Sequence, residues 1–435
     1  METTAAVNQA ILIDGEDIKY VGPKDRAPPI DAGTKVIDHS GDFVMPGMID
    51  IHVHLSYGEA RTEEDIDLFA SVEFRALRGM EAAQRVLKAG YTSVCDPTTS
   101  GRVSLAIRDA IDAKLFPGPR LTCSGQNIST RQGLIDWYPT WIGVPDTSIG
   151  RVVKSIDEGI DMIRLQVKDG VDFIKLAMDG DSMNPASIRL SCAFRQEEVS
   201  ALVAEAHRLG RKVVVHARGS EGVLYAARAG VDLIFHASWM DGQALEAVVK
   251  NGCRICPTLN LMVNTIEFTR STDPCYPSLV DAHKRELEAA AKNLTKAREA
   301  GVEFLVGSEA GFAVTPYGEW NAREMDNHVK YLGFSAGEVL RQTTFNNAWF
   351  TRDADCVGVL APGRRADILA LKKDPILDIT VPQDKANIAA VYLAGEPVDL
   401  TPNLKRTRLP GEFSYAMWNE VYTRARVENF HNAAE

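Results

Sequence analysis

Short apolar runs alternate with stretches of helical periodicity through most of the chain. The runs are rich in valine, isoleucine and phenylalanine, as in parallel strands that are covered on both faces. They occupy residues 43–51, 171–175, 212–216, 231–236 and 302–309. Residues 196–210, between two of these runs, have apolar residues on one helical stripe and end at a glycine. This alternation predicts an α/β protein with a (β/α)8 TIM barrel.

The two flanks of the chain have a different pattern, in which short strand candidates are separated by turn residues. These candidates lie at 10–13, 18–21, 35–38, 358–360, 363–371 and 388–395. We therefore predict a small β-sandwich domain built from both chain ends, residues 1–45 and 355–400. The barrel domain is predicted at 46–354, and residues 401–435 form a C-terminal extension.

Composition and charge limit the partners and the compartment. The formal net charge of −11 argues against nucleic acid and anionic membranes as partners, because both require a basic surface. No apolar stretch approaches the roughly 18 residues of a membrane span, and the N-terminus lacks the pattern of a signal peptide. The seven cysteines are scattered along the chain, as is typical of reduced thiols. We expect a cytoplasmic protein that acts on a small molecule.

Two histidines, His52 and His54, directly follow the first apolar run. Residues at i and i+2 on a strand point the same way, so both imidazoles can reach one metal ion. The other runs also end in residue types that bind metal or assist catalysis. Because the carboxyl ends of barrel strands meet at one face, we expect these residues to share one site. They are Lys175, His216, His236 and Glu309.

Three segments resemble the signatures of a known superfamily: 46–54 reads PGMIDIHVH, 172–175 reads DFIK, and 362–368 reads PGRRADI. With these segments the chain resembles the metal-dependent amidohydrolase superfamily over nearly its whole length. Within it, residues 216–218, 235–237, 311–313 and 321–324 are similar to prolidase-like, ochratoxinase-like, molinate hydrolase-like and phenylurea hydrolase-like enzymes. The resemblance implies a hydrolase that cleaves an amide, carbamate or urea C–N bond through a hydroxide bridging two metal ions.

The resemblance also implies a role for each ligand. His52 and His54 would bind the buried ion, and His216 and His236 the second. Histidine nitrogen and carboxylate oxygen suit zinc, with cobalt or manganese as alternatives. Burial lowers the pKa of a lysine, so Lys175 can react as a free amine with CO2. The resulting carbamate has two oxygens, which would bridge the two ions.

Glu309 departs from the family pattern, which places an aspartate after the eighth strand as metal ligand and proton shuttle. Residues 307–311 read GSEAG, without an aspartate. Glutamate keeps the carboxylate but carries it roughly 1.5 Å further, and a misplacement of about 1 Å can lower a rate about a hundredfold. We predict that Glu309 binds metal and passes a proton to the departing nitrogen. A weakly active metal-binding homologue is the alternative.

Arg218 follows His216 by two residues and therefore faces the same side of an extended strand. It is a candidate for binding a substrate carboxylate or the tetrahedral oxyanion, and a surface arginine is the competing interpretation. Trp137, Tyr138 and Trp141 are candidates for an aromatic wall beside an apolar substrate, although ordinary loop packing would explain them as well.

Other activities are possible on the same scaffold. An Xaa-Pro dipeptidase or an N-acyl amino acid hydrolase would use the same two ions. A mononuclear deaminase would keep a glutamate beyond the histidine of the fifth strand, where Glu221 follows His216 by five residues, but it would not need Lys175. Three histidines on helical stretches are not assigned to the site: His207, His283 and His328.

The C-terminal extension has a helical pattern through Met417, Val421 and Ala425. It is either a frayed end or a segment that docks onto a neighbouring subunit, since an apolar terminal helix usually needs a partner. Proteins of the resembling superfamily associate, so we expect a homo-oligomer, a tetramer or octamer.

Overall fold

The computed structural model describes residues 5–180, 190–270, 276–406 and 421–432, which alternate between strands and helices. The strands are β1 (Gln9–Asp14), β2 (Asp17–Pro23), β3 (Phe43–Pro46), β4 (Met48–Asp50), β5 (Tyr91–Asp96), β6 (Arg120–Cys123), β7 (Asn127–Ser129), β8 (Gly150–Val152), β9 (Phe173–Ala177), β10 (Lys212–Gly219), β11 (Leu233–Trp239), β12 (Arg254–Cys256), β13 (Ile368–Leu371), β14 (Ile388–Leu393) and β15 (Glu396–Pro397). The helices are α1 (Glu63–Asp67), α2 (Val72–Lys88), α3 (Val103–Asp112), α4 (Ile156–Lys168), α5 (Gln196–Arg208), α6 (Ser220–Ala229), α7 (Gly242–Asn251), α8 (Asn260–Phe268), α9 (Val280–Glu299), α10 (Arg323–Leu332), α11 (Ala336–Arg341) and α12 (Arg424–Asn432).

Parallel strands form the centre of the molecule. One sheet has the order β4-β5-β6, and a second has the order β12-β11-β10-β9-β7-β8. Within the second sheet, β9, β10, β11 and β12 pair in parallel with their neighbours in chain order. Nearly every residue of β9, β10 and β11 is buried, which explains their continuous apolar runs.

Hydrogen bonds connect the two parallel sheets at two places. On one side, the N–H of Asp172, just before β9, donates to the Cys123 carbonyl at the end of β6 (2.8 Å). On the other side, residues 303–306 lie between β12 and β4. The N–H of Leu305 bonds to β12 (2.9 Å), and the N–H of Ile51 donates to the Val306 carbonyl (3.3 Å). The predicted α/β class is confirmed, and this neighbour order is the one that a closed eight-stranded barrel requires.

The predicted helices lie close to their expected positions. Helix α5 occupies 196–208, and its apolar stripe, including Val199, Leu202 and Val203, is buried against the strands. Helix α6 ends at Gly230, whose φ of 80° is a left-handed conformation that glycine adopts without steric cost.

Two small antiparallel sheets come from the chain ends. Strands β1 and β2 form a hairpin, and β15-β14-β13-β3 form a four-stranded sheet. Ile18 of the hairpin packs in one apolar cluster with Ile368 and Tyr392 of the larger sheet. The strands predicted at 35–38 and 358–360 are wrong, because neither stretch forms a strand, and Val36 is 73% exposed. The β-sandwich and its domain limits stay a prediction.

Gly47 joins the four-stranded sheet to the first parallel strand, since β3 ends at Pro46 and β4 begins at Met48. A Cβ atom at this position would lie 2.1 Å from Oγ1 of buried Thr92 in β5. We expect Gly47→Ala to lower the free energy of unfolding by about 1–3 kcal/mol through overpacking, as measured by chemical denaturation. Gly242→Ala is the matched control, because nothing lies within 4 Å of a Cβ there. Equal stability of the two variants would contradict the packing argument.

The described part of the C-terminal extension packs against its own chain. Tyr422 and Val427 are buried in a cluster with Phe268 and Trp320, and the Trp320 indole donates to the Tyr422 carbonyl (2.7 Å). Met417 of the predicted helical pattern lies outside the described residues, whereas Ala425 lies in α12. The homo-oligomer therefore stays a prediction. The extension gives no support for it, because its described part packs against its own chain.

None of the helices in the described ranges is long and apolar enough to cross a lipid bilayer.

Candidate metal centre

His52 and His54 lie in an irregular segment just beyond β4, held by the chain that follows residue 306. The Glu309 N–H donates to the His52 carbonyl (2.7 Å), and the His54 N–H donates to the Ala310 carbonyl (2.7 Å). These bonds bring the Glu309 carboxylate to the two imidazoles. One ligand atom from each of the three buried side chains lies within 4.8 Å of the others. His52, His54 and Glu309 are thus close enough to bind one metal ion together.

Asp50 holds the segment with His52 and His54 in place through hydrogen bonds, a role that was not predicted from the sequence. Its carboxylate accepts hydrogen bonds from the His52 N–H (3.1 Å), the Ser308 hydroxyl (2.5 Å) and the Asn321 amide (2.9 Å). Burial raises the pKa of Asp50 to about 6, although these hydrogen bonds act in the opposite direction. Asp50 therefore ties the start of the histidine segment to the segment that contains Glu309.

His216 and His236 lie within the neighbouring strands β10 and β11, each three residues before the strand ends. Their ring centroids are 4.7 Å apart, and the His236 ring is 5.7 Å from that of His52. Nε2 of His236 lies 3.8 Å from Oε1 of Glu309. Nε2 of His216 is 3.2 Å from the Gly180 carbonyl. All four predicted histidines therefore surround one buried region together with Glu309.

Lys175 points into the same region from β9 and is 2% exposed. Its Nζ lies 4.1 Å from the centroid of the Phe235 ring. Burial lowers the pKa of Lys175 to about 7, with the Glu309 carboxylate acting in the opposite direction. At neutral pH a large share of this lysine is therefore the free amine that carbamate formation requires.

The donor atoms of this cluster fit a divalent metal. Burial lowers the pKa of each of the four histidines well below its usual value, and the nearby charge of Lys175 acts in the same direction. Their rings are thus neutral, as metal binding requires. Both ring nitrogens of His236 and Nδ1 of His54 are buried without a hydrogen-bond partner in the described chain. Buried polar atoms of this kind are rare unless a ligand satisfies them.

Three residues at the site have left-handed backbone conformations that are uncommon outside glycine. The φ angles are 57° at Glu309, 76° at His236 and 58° at Thr258. Oγ1 of Thr258 lies 3.2 Å from Nδ1 of His52, which leaves Nε2 of that ring for a metal ion. Such conformations persist only where the surrounding structure enforces them, and they concentrate at functional sites.

Arg218 is buried beside the histidines rather than exposed on the surface. Its guanidinium donates to the Glu286 carboxylate of α9 (2.5 Å), which also accepts a hydrogen bond from the Ser238 hydroxyl (2.8 Å). Its backbone N–H and that of Gly219 donate to Asp179. The positive charge of Arg218 contributes to the low pKa of His216 and His236. Direct binding of substrate by Arg218 stays a prediction.

The cavity next to these side chains has mainly apolar and aromatic walls. Tyr57 stacks on His54 with ring centroids 4.2 Å apart and planes at 5°. The other apolar lining residues are Ile66, Leu134, Trp137, Ile149 and Phe312. Of the predicted aromatic wall only Trp137 lines this cavity, whereas Trp141 is 83% exposed.

Glu221 and the three histidines that were not assigned to the site do not line the cavity. Glu221, which a deaminase would use, is exposed in the first turn of α6 and accepts hydrogen bonds from the Cys192 N–H and the Tyr225 hydroxyl. His207 pairs with Asp232 (2.8 Å). His328 lies 2.8 Å from Oε1 of Gln342, and His283 is buried near Glu286, where burial lowers its pKa to about 4.

Similarity to known proteins agrees with this geometry. The amidohydrolase family model matches residues 43–398. Ochratoxinase from Aspergillus niger is 26% identical over 414 residues, which cover 89% of this chain and 82% of that protein. The crystal structure of a Xaa-Pro dipeptidase with methionine in its active site has a TM-score of 0.77 and 29% identity, covering 89% of this chain and 94% of that one. The structure of molinate hydrolase, at 20% identity, has the same fold, with a TM-score of 0.75 over 93% and 94% of the two chains. The predicted resemblance is confirmed, and the chain belongs to the amidohydrolase family.

Proposed function

We propose that this protein is a metal-dependent hydrolase that cleaves an amide, carbamate or urea C–N bond. The observation that carries this proposal is the convergence of six predicted site residues on one buried region: His52, His54, Lys175, His216, His236 and Glu309. We also propose that the parallel strands close as a (β/α)8 barrel, since hydrogen bonds connect β6 to the start of β9, and connect β12 through residues 303–306 to the residue after β4.

The donor set suits two ions. His52, His54 and Glu309 would hold the first, His216 and His236 the second, and a carbamate on Lys175 would lie between them. Two bound divalent ions would lower the pKa of a water molecule to near 7 and polarise a carbonyl group. Zinc is the expected ion, with cobalt or manganese as alternatives.

The side chains around the ions have separate tasks. The carboxylate of Glu309 would accept a proton and deliver it to the departing nitrogen, which an amine leaving group requires. The apolar walls would exclude bulk water and so strengthen the electrostatic interactions within the site. Arg218 would add positive charge to one side of the site while its own guanidinium stays paired with Glu286.

The similarity to a Xaa-Pro dipeptidase makes Xaa-Pro dipeptides one substrate class to test, and N-acyl amino acids are the second class, which was proposed from the sequence. A deaminase is less compatible with the structure, because Lys175 lies in the cavity wall and Glu221 is exposed. A weakly active homologue would bind the ions but turn over none of these compounds.

We expect the purified protein to contain close to two divalent ions per chain and to hydrolyse at least one amide, carbamate or urea. Elemental analysis after purification in bicarbonate-containing buffer measures the ions. A panel of aryl carbamates, phenylureas, acyl amines, N-acyl amino acids and Xaa-Pro dipeptides tests the chemistry. Activity that persists with one ion or none would contradict the two-ion site. Two bound ions with no turnover would favour the weakly active homologue.

A further inference from the structure

Asn127 has a buried side-chain amide with no partner in the described residues. It is the first residue of β7 and is 1% exposed. Its backbone N–H is satisfied by the Ile149 carbonyl (2.9 Å) and the Thr98 hydroxyl (3.2 Å). Neither Nδ2 nor Oδ1 has a hydrogen-bond partner. A buried amide that leaves both its donor and its acceptor unused is unfavourable unless a ligand completes it.

The sheet register places this amide beside Lys175. Ile128 of β7 pairs with Leu176 of β9, and the Ser129 hydroxyl donates to the Ala177 carbonyl (3.1 Å). Asn127 and Lys175 each precede the paired residue by one position. Because side chains alternate along a strand, the two share the opposite face, and both line the metal-site cavity.

The charges of the described residues around the cavity disfavour a substrate that carries a carboxylate. Among the described residues that line it, Lys175 is the one lysine or arginine, and its amine is the predicted carbamate site. Arg218 is engaged by Glu286, and Glu63 adds an acidic side chain to the lining. Apart from the two proposed ions, the described residues would therefore offer a substrate carboxylate no cation to pair with, which is costly in a buried site.

We infer that Asn127 binds an uncharged hydrogen-bonding group of the substrate next to the scissile bond, and that the substrate carries no carboxylate there. The Nδ2 group would donate to a carbonyl oxygen, and Oδ1 would accept from an N–H. The rest of the substrate would be apolar, to match Tyr57, Trp137 and Phe312. This inference rests on the proposed function and narrows its substrate class to neutral amides, carbamates and ureas.

A pair of compounds that differ by one carboxylate tests the charge preference. N-phenethylbenzamide is neutral, and N-benzoylphenylalanine has the same skeleton with a carboxylate. We expect kcat/KM of the wild-type protein to be at least about tenfold higher for the neutral compound, since an unpaired buried charge is disfavoured. Equal or better turnover of the carboxylate compound would overturn the inference.

Variants of Asn127 test the hydrogen bond itself. Asn127→Leu keeps a similar volume without polar atoms, and we expect KM for N-phenethylbenzamide to rise about tenfold with the metal content unchanged. Calorimetric titration of the same compound in the Glu309→Gln background, where turnover is slow, reports binding directly. Asn387→Leu is the control, because its amide is half-buried and bonds to the Val381 carbonyl in the small-sheet region.

The outcomes separate this inference from the proposed function. Unchanged binding in Asn127→Leu would overturn the inference while leaving metal-dependent hydrolysis intact. Loss of bound ions in that variant would also overturn it, because Asn127 would then serve the metal centre rather than the substrate. If the wild-type protein hydrolyses nothing but binds N-phenethylbenzamide through Asn127, the proposed function fails and the inference stands.

Discussion

Glu309→Gln is expected to keep its bound metal and to lose about 10²–10⁴ of the hydrolysis rate, the usual range for a general acid–base group. The carboxylate of Glu309 is buried, lies 3.8 Å from His236 and lines the cavity. Glutamine keeps the shape and one oxygen but cannot carry a proton between water and a departing amine. Steady-state kinetics paired with elemental analysis of the same preparation measures both quantities.

Glu309→Asp tests whether the site is adapted to the longer side chain of glutamate, because this variant has the residue that the family normally has. Aspartate adopts left-handed backbone conformations at least as readily as glutamate, so the φ of 57° is no obstacle and mainly the side-chain length changes. We expect a lower rate, because a site that works with glutamate should have a neighbouring segment, residues 310–312, adjusted to the longer side chain. A higher rate would show that the native geometry is compromised. An unchanged rate in Glu309→Gln would mean that another group moves the proton.

Lys175→Ala is expected to lose most of the bound metal and nearly all activity, because it removes the amine on which the proposed carbamate ligand would form. Its pKa of about 7 makes the free amine available at neutral pH. Carbon-13 NMR of protein prepared in labelled bicarbonate reports the carbamate directly, and elemental analysis reports the ions. Short carboxylic acids should partly restore activity by supplying the missing oxygens.

Lys212→Ala is the matched control for this variant. Lys212 is also a strand lysine, but it begins β10, and its Nζ bonds to the Trp349 carbonyl (2.6 Å). We expect it to keep full metal content and rate. Full metal content in Lys175→Ala would show that the carbamate assignment is wrong.

The site residues that could be predicted from the sequence are those that end a short apolar run. His216, His236 and Lys175 follow from apolar runs that end in a ligand, because a buried parallel strand has a simple sequence pattern. Glu286 and Asp179, which hold Arg218, could not be predicted, since α9 meets β10 only in the folded chain. Asp50 could have been identified from the sequence, because it lies two residues before His52, the same spacing as between His52 and His54.

The failed elements also have physical reasons. Residues 35–38 contain two β-branched apolar residues, as strands often do, but no neighbouring strand bonds to them and their apolar side chains stay exposed. Residues 302–309 occupy the predicted position between β12 and β4, but they make one isolated bridge, between Phe304 and Ile255, instead of a regular ladder. Asn127 could not be singled out, because an asparagine in a short strand has no pattern that distinguishes an unsatisfied amide from a satisfied one.

The pairing of β3 with β13 has a consequence for the folding of the metal site. Pro46 pairs with Ile368 and Phe43 with Leu371, so the strand that leads directly into β4 finds its partner only near the end of the chain. Contacts between residues so distant in sequence form slowly, because the entropy of closing a long loop must be paid before the contacts form. During synthesis, β3 leaves the ribosome long before β13, the strand it pairs with, exists. We therefore expect the segment that contains His52 and His54 to reach its final surroundings in a late folding step.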